Sequence, residues 1–200
     1  MLHEHFMHLS RKVANLYSNS LLIILMVTAL VFFWLFNFSS VPFSNPTLIK
    51  ISGHDGLLDL LPYYSAQEAF TMLGHYGSAG RELYLKFLIA DFIFIPIYSL
   101  GFGLLMTRVL RARFGLQERW LWLNLLPFAI GVFDCIEDLC ILTMLQRFPQ
   151  TDFAIGTLSG IATLCKTILT LIGFSILAYL SITILIRRIR MQSHGEEGRQ

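Results

Sequence analysis

The sequence predicts an all-α membrane protein: four transmembrane helices in a bundle, a helical outer loop between the first two, and an amphipathic N-terminal segment. Hydrophobic residues make up 55% of the 200-residue chain, and its mean hydropathy is +0.63. The chain is therefore too apolar for an ordinary soluble domain. Four segments are long enough to cross about 30 Å of hydrocarbon at about 1.5 Å per residue. We therefore expect one integral-membrane domain over residues 1–200.

The N-terminal residues 1–19 precede the first apolar segment and carry apolar residues three or four positions apart. In a helix, Leu2, Phe6 and Leu9 would share one side, so we expect an amphipathic segment on the cytoplasmic membrane surface. The first predicted span covers residues 20–38. Its apolar core is longer than that of a secretory signal, and no small-residue cleavage site follows it, so we expect an uncleaved anchor.

The outer loop is predicted over residues 39–84 and opens with turn-forming residues. Further along, Ser65 followed by Glu68 has the spacing of a capping box before an apolar stretch, which predicts a short helix. A loop of this length is unusual in a helical bundle. We expect it to cover the outer mouth.

Three further spans are predicted over residues 85–109, 120–146 and 156–186, followed by a cytoplasmic tail over residues 187–200. Gly156 and Gly160 form a G-x-x-x-G pattern, which predicts close packing near the start of the last span. Three cysteines lie within the predicted spans without metal-type spacing, so we interpret them as small buried side chains: Cys135, Cys140 and Cys165.

Basic residues are distributed unevenly across this predicted topology, and the cytoplasmic side of a membrane protein is usually the richer one. Four lie on the predicted outer side: Lys50, Arg81, Lys86 and Arg147. The opposite side carries Arg11, Lys12, Arg108, Arg111, Arg113, Arg119, Arg187, Arg188, Arg190 and Arg199. We therefore expect both termini to be cytoplasmic, in a bacterial inner membrane or a plasma membrane. The formal charge of +2 gives no reason to expect a nucleic-acid partner.

Ionisable residues interrupt three of the four apolar spans. Asp134, Glu137 and Asp138 stand at positions i, i+3 and i+4 of the third span and so share one helix face. Asp91 in the second span and Lys166 in the fourth are predicted at a similar depth. A charge at the centre of a bilayer costs about 2.5–3.5 kcal/mol, so all five should face the interior.

Four acids and one lysine cannot all be ionised and satisfied in a dry interior. One or more of the acids must be protonated, bind a cation or be hydrated from the outer side. We therefore predict an outward-facing acid and lysine site that binds or relays a proton, a cation or a small polar head group. Four residues are expected to contribute at its outer mouth: His75, Arg81, Tyr84 and Tyr98.

Two other functions fit the same pattern. The buried charges could serve packing alone in a structural or assembly protein, whose partners would be the lipid bilayer, a second copy of the chain or another membrane protein. Alternatively, the carboxylates with His54 or His75 could bind a divalent metal in an enzyme that acts on a lipid or a lipid-linked substrate. No H-E-x-x-H motif supports that enzyme, and the sequence identifies neither catalytic residues nor a cofactor.

Overall fold

The computed structural model describes residues 2–115 and 118–197, and this part of the chain is all-helical, without a β-strand. The predicted all-α class is therefore confirmed. Of the basic residues used for orientation, Arg199 and the side chains of Arg119, Arg188 and Arg190 lie outside the described part.

Seven α-helices are present in the described residues, with a 3₁₀ helix at Leu58–Leu60 and another at Glu118–Leu125. The α-helices are α1 (Leu2–Asn15), α2 (Asn19–Phe38), α3 (Asn45–Ser52), α4 (Ala66–His75), α5 (Gly77–Phe114), α6 (Leu126–Arg147) and α7 (Phe153–Glu197). In α2, in α5 and over Phe153–Arg187 of α7, the chain is long and apolar enough to cross a membrane. The chain is therefore compatible with a membrane protein.

Helix α6 differs from these three because it carries three of the four buried acids predicted from the sequence. Its 22 residues suffice in length for a bilayer, but Asp134, Glu137 and Asp138 lower its apolar character. It also begins later than residue 120, where the sequence predicted the span to start. Residues 118–125 form a 3₁₀ helix instead, and Pro127 stands in the first turn of α6, where its missing N–H costs nothing.

Helix α1 packs against the protein rather than standing apart from it. The buried Asn124, in the 3₁₀ helix, donates hydrogen bonds to the carbonyl of Ser10 and to the hydroxyl of Thr107. Arg111 of α5 donates to the carbonyl of Ala14. These contacts join the N-terminal helix to the end of α5 and explain why Met7 and Ala14 are buried.

Residues 39–76, here called the α2–α5 connection, share a hydrophobic core with α2, α5 and α6. Leu48, Leu58 and Leu73 are completely buried, together with Tyr84 at the start of α5 and Ile141 of α6. Helix α4 begins with the predicted capping box: the Ser65 side chain accepts from the Glu68 backbone, and the Glu68 side chain accepts from the Ser65 backbone.

The predicted G-x-x-x-G pattern contacts the α2–α5 connection instead of another long helix. A Cβ atom at Gly160 would collide with the backbone carbonyl of Tyr64, and one at Gly156 would lie 2.8 Å from the Cβ of Ala66. The two glycines therefore let α7 approach the backbone at and just before the start of α4. Helix α5 packs against α2, α6 and α7, and α6 packs extensively along α7. This arrangement places the charged residues of α5, α6 and α7 between helices.

Candidate functional site

Lys166 of α7 lies among carboxylates from two different parts of the chain. Its Nζ atom is 2.8 Å from Oδ1 of Asp134 and 2.5 Å from Oε2 of Glu137, both on α6. Oδ1 of Asp59, in the α2–α5 connection, lies 3.7 Å from the same nitrogen. All four side chains are largely buried, so solvent screens these charges weakly. One ammonium group therefore faces three carboxylates.

Hydroxyl groups hold these carboxylates in place. Oε1 of Glu137 accepts a hydrogen bond of 2.7 Å from Thr163 and one of 3.3 Å from Tyr64. The hydroxyl of Tyr98 donates to Oδ2 of Asp134 at 2.7 Å. Hydrogen bonds to an ionised acceptor are stronger than neutral ones, so these donors fix the side chains around Lys166.

Asp59 receives similar support from α5. The hydroxyl of Tyr84 donates to Oδ2 of Asp59 at 3.0 Å and accepts from the backbone N–H of Leu58 at 3.0 Å. Burial raises the pKa of Asp59, and Lys166 partly opposes this rise. Oδ1 of Asp59 is buried and has no hydrogen-bond partner among the described residues. It is therefore an available acceptor beside the lysine.

A second acidic group adjoins the first through Asp134. Asp91, Asp134 and Asp138 each offer one oxygen atom, and these three atoms all lie within 4.8 Å of one another. Asp138 is completely buried, and in the described structure neither of its carboxylate oxygens has a hydrogen-bond partner. Among the described residues, the ion pairs of Lys166 are with Asp59, Asp134 and Glu137. Neither Asp91 nor Asp138 is among these ion-pair partners of Lys166.

A cavity of about 720 Å³ ends at this charged group. Its polar end is formed by Asp59, Tyr98, Asp134 and Lys166, whereas its walls are mainly apolar side chains of α2, α5, α6 and α7. Leu30 and Phe33 of α2, with Leu171 and Phe174 of α7, line it and are also exposed on the outside of the protein. The cavity therefore opens sideways between two helices that are long and apolar enough to span a membrane.

Comparison with family models, curated proteins and solved structures gives no match in any of the three. Function must therefore be argued from the arrangement of the site.

The residues predicted at the outer mouth divide into two groups. Tyr84 and Tyr98 contact the buried acids, as described above. Arg81 instead donates to the carbonyl of Leu73 at 3.0 Å and lies 4.2 Å from the centre of the Phe148 ring, which braces the end of α6 against α5. His75 forms a contact of 2.6 Å with Asp55 and does not line the cavity.

His54, Asp55 and His75 form a separate cluster near the surface. The Nε2 atom of His54 lies 3.7 Å from Oδ2 of Asp55, and one ligand atom of each residue lies within 4.8 Å of the others. The metal sites considered from the sequence combined His54 or His75 with the acids of the long helices. The structure instead groups the two histidines with Asp55.

Two residues of the site were missed in the sequence: Asp59 and Tyr64. Both lie in the α2–α5 connection, where no helical period relates a residue to the rest of the site. A signal was present in "LLDLLPYY", since Asp59 is an acid inside an apolar run. Burial raises the pKa of Tyr64, which therefore remains a hydrogen-bond donor to its acceptors at neutral pH.

Proposed function

We propose that this chain is an integral membrane protein that binds the polar head group of a membrane amphiphile at Asp59, Asp134 and Lys166. In this proposal α2, α5, α6 and α7 are four transmembrane helices and both termini are cytoplasmic. The basic residues around the termini support the orientation. The packing of α6 between α5 and α7 supports α6 as a transmembrane helix in addition to α2, α5 and α7, because its acids then face protein instead of lipid.

The observation that carries the proposal is the cavity that joins an apolar wall to the charged group. An amphiphile could enter between α2 and α7 without leaving the bilayer and place its acyl chain along Leu30, Phe33 and Phe174. Its head group would then meet Asp59, Asp134 and Lys166. Ligand sites of this size commonly combine apolar walls with a few polar groups that fix orientation.

The charge of the site favours a particular type of head group. Lys166 is already paired with Asp134 and Glu137, whereas Oδ1 of Asp59 has no hydrogen-bond donor in the part of the chain that the structure describes. An amine or hydroxyl group on the ligand would satisfy that oxygen. An anionic head group would instead meet an excess of carboxylates, so we expect an amino head group to bind more tightly.

The test compares the lipids retained by the purified protein. Nanodiscs are prepared with equal amounts of phosphatidylethanolamine, which has an amine, and phosphatidylglycerol, which has none, and bound lipid is measured by native mass spectrometry. The wild type should retain phosphatidylethanolamine preferentially. Asp59→Asn should lose the preference, since the amide NH₂ would replace the free acceptor beside Lys166.

A matched pair of variants on α7 tests the route into the cavity. Leu171 lines the sideways opening, whereas Leu158 is an exposed leucine of the same helix that does not line the cavity. Leu171→Trp should reduce lipid retention at least several-fold, and Leu158→Trp should leave it unchanged. Equal retention in both variants, or no preference in the wild type, would contradict head-group binding. Proton flux in liposomes that depends on the same acids would then favour a proton relay.

A further inference from the structure

We propose that Asp91, Asp134 and Asp138 form a binding site for a hard divalent cation such as Mg²⁺, Mn²⁺ or Ca²⁺. This inference goes beyond head-group binding because Asp91 and Asp138 do not line the cavity. The two sites share Asp134, which faces Lys166 on one side and the other two aspartates on the other.

The positions of the three carboxylates fit a single ion. One carboxylate oxygen from each of the three residues lies within 4.8 Å of the other two. Ligand oxygens around a divalent cation lie about 2.0–2.6 Å from the metal, so two oxygens of the same ion are at most about 5 Å apart. The three aspartates therefore already have the spacing of ligands to one ion, and they come from two helices packed against each other.

The burial of Asp138 also supports a bound cation, independently of the spacing. Its side chain is completely buried, and neither oxygen has a hydrogen-bond partner among the described residues. A buried polar group without a partner costs about 1–3 kcal/mol, and more when it is charged. A cation among the three carboxylates would supply that partner. The lysine does not, because its described ion pairs are with other acids.

The chemistry of the ligands indicates which metals fit. All three ligands are carboxylates, which suit Mg²⁺, Mn²⁺ and Ca²⁺ better than the softer metals that prefer thiolate or imidazole. Asp134 also lines the cavity, so water or a head-group oxygen could complete the coordination from that side. The separate surface cluster of His54, Asp55 and His75 has different ligands, since imidazole suits zinc and copper.

The test uses Mn²⁺ as the probe and the full-length protein in detergent after treatment with a chelator. The electron paramagnetic resonance signal of free Mn²⁺ is followed during titration. The wild type should bind a single equivalent and melt at a higher temperature with Mn²⁺ than without it. Asp91→Asn and Asp138→Asn should each weaken binding at least about tenfold, because each removes a charged ligand. The control His75→Ala, which alters the surface cluster, should bind Mn²⁺ as the wild type does.

Melting curves without metal show whether each variant is folded. Asp138→Asn should fold, because the buried carboxylate that it replaces has no hydrogen-bond partner to lose among the described residues. Mn²⁺ binding that survives in both aspartate variants but is lost in His75→Ala would overturn the proposal and assign the ion to the surface cluster. Absence of binding in the wild type, with an infrared carboxylic-acid band that disappears in Asp138→Asn, would overturn it in favour of protons. Lipid retention is measured in the same variants, so that failure of the cation site can be distinguished from failure of the head-group site.

Discussion

The Nζ atom of Lys166 lies 2.5 Å from the Oε2 atom of Glu137, whose side chain is completely buried. This contact joins α7 to α6 and, with the 2.8 Å contact to Asp134, decides which acids of α6 have a cationic partner. Asp138 stands one position beyond Glu137, and neither of its carboxylate oxygens has a hydrogen-bond partner among the described residues. Substitutions of these neighbouring residues should therefore have different consequences.

Removal of the lysine charge should destabilise the protein strongly. Lys166→Met leaves Asp134 and Glu137 as buried charges without their partner, and breaking a buried pair in this way costs about 3–5 kcal/mol. Thermal melting in detergent measures the effect. The matched control is Lys86→Met, because Lys86 pairs with Glu82 at the surface and such pairs contribute about 1 kcal/mol or less. Equal melting temperatures for the two variants would contradict the coupling.

The double variant Lys166→Met/Glu137→Gln tests whether the loss comes from this pair. Removing the second charge should recover part of the stability lost in Lys166→Met, since fewer unpaired carboxylates then remain buried. A double variant whose loss equals the sum of the two single losses would show that the residues are not coupled.

Neutralising Glu137, which is paired with Lys166, should affect stability differently from neutralising Asp138, which is not. Glu137→Gln keeps the shape of the side chain but loses the charged bond to Lys166, so we expect a folded protein that is less stable by about 1–3 kcal/mol. Asp138→Asn should keep or raise the melting temperature measured without metal, because that carboxylate has no described partner to lose. A larger loss in Asp138→Asn than in Glu137→Gln would contradict the arrangement.

The hydroxyl of Tyr98 should contribute through its hydrogen bond to Asp134. Tyr98→Phe removes a donor 2.7 Å from a largely buried carboxylate, and such a bond contributes about 1.5–3 kcal/mol. Tyr63→Phe removes an equivalent hydroxyl from an exposed tyrosine and should change stability by less than about 0.5 kcal/mol. Melting curves measure the loss of stability in each variant. Equal losses in the two variants would show that the hydrogen bond from Tyr98 to Asp134 does not stabilise the protein.

The close approach of α7 to the α2–α5 connection should depend on Gly160. A Cβ atom at this position collides with the carbonyl of Tyr64, which is backbone and cannot move aside as a side chain can. Gly160→Ala should therefore displace Tyr64 from Glu137 and lower the melting temperature, at a cost of at least about 1–3 kcal/mol. Gly173→Ala is the control, since its nearest neighbour would be a leucine methyl group at 3.4 Å. Similar stability of the two variants would show that the contact is not tight.

Asp59 should make stability depend on pH in a defined direction. Burial raises its pKa above the ordinary value of 3.8, so the folded chain holds this proton more tightly than the unfolded chain. The stability that Asp59 contributes is greatest while it is protonated and falls as the pH rises from about 3.8 through the higher folded pKa. Asp59→Asn cannot titrate, so melting temperatures across a pH series should show the wild type losing stability relative to the variant in that window. A constant difference would contradict the raised pKa.

Local sequence patterns determined much of the fold because they act within one helix or turn. The spacing of Asp134, Glu137 and Asp138 placed them on one face in any regular helix, and Ser65 with Glu68 predicted the capping box that the structure contains. The high apolar content predicted long helices, of which three are apolar enough to span a membrane. The count of four spans remains a prediction, since the acids of α6 give that helix a mixed composition.

Tertiary structure decided which residues complete the site and how the charges are paired. The path of the α2–α5 connection brings Asp59 to Lys166 and Tyr64 to Glu137, two contacts between residues far apart in sequence. It also turns the Gly156 and Gly160 pattern toward that connection instead of another long helix. No helical period extends through an irregular segment, so its path depends on packing against the finished helices. The sequence by itself therefore showed that acids outnumber the one lysine among the five ionisable residues buried in the predicted spans. The fold decided that Lys166 contacts Asp134 and Glu137, and that the oxygens of Asp138 have no hydrogen-bond partner among the described residues.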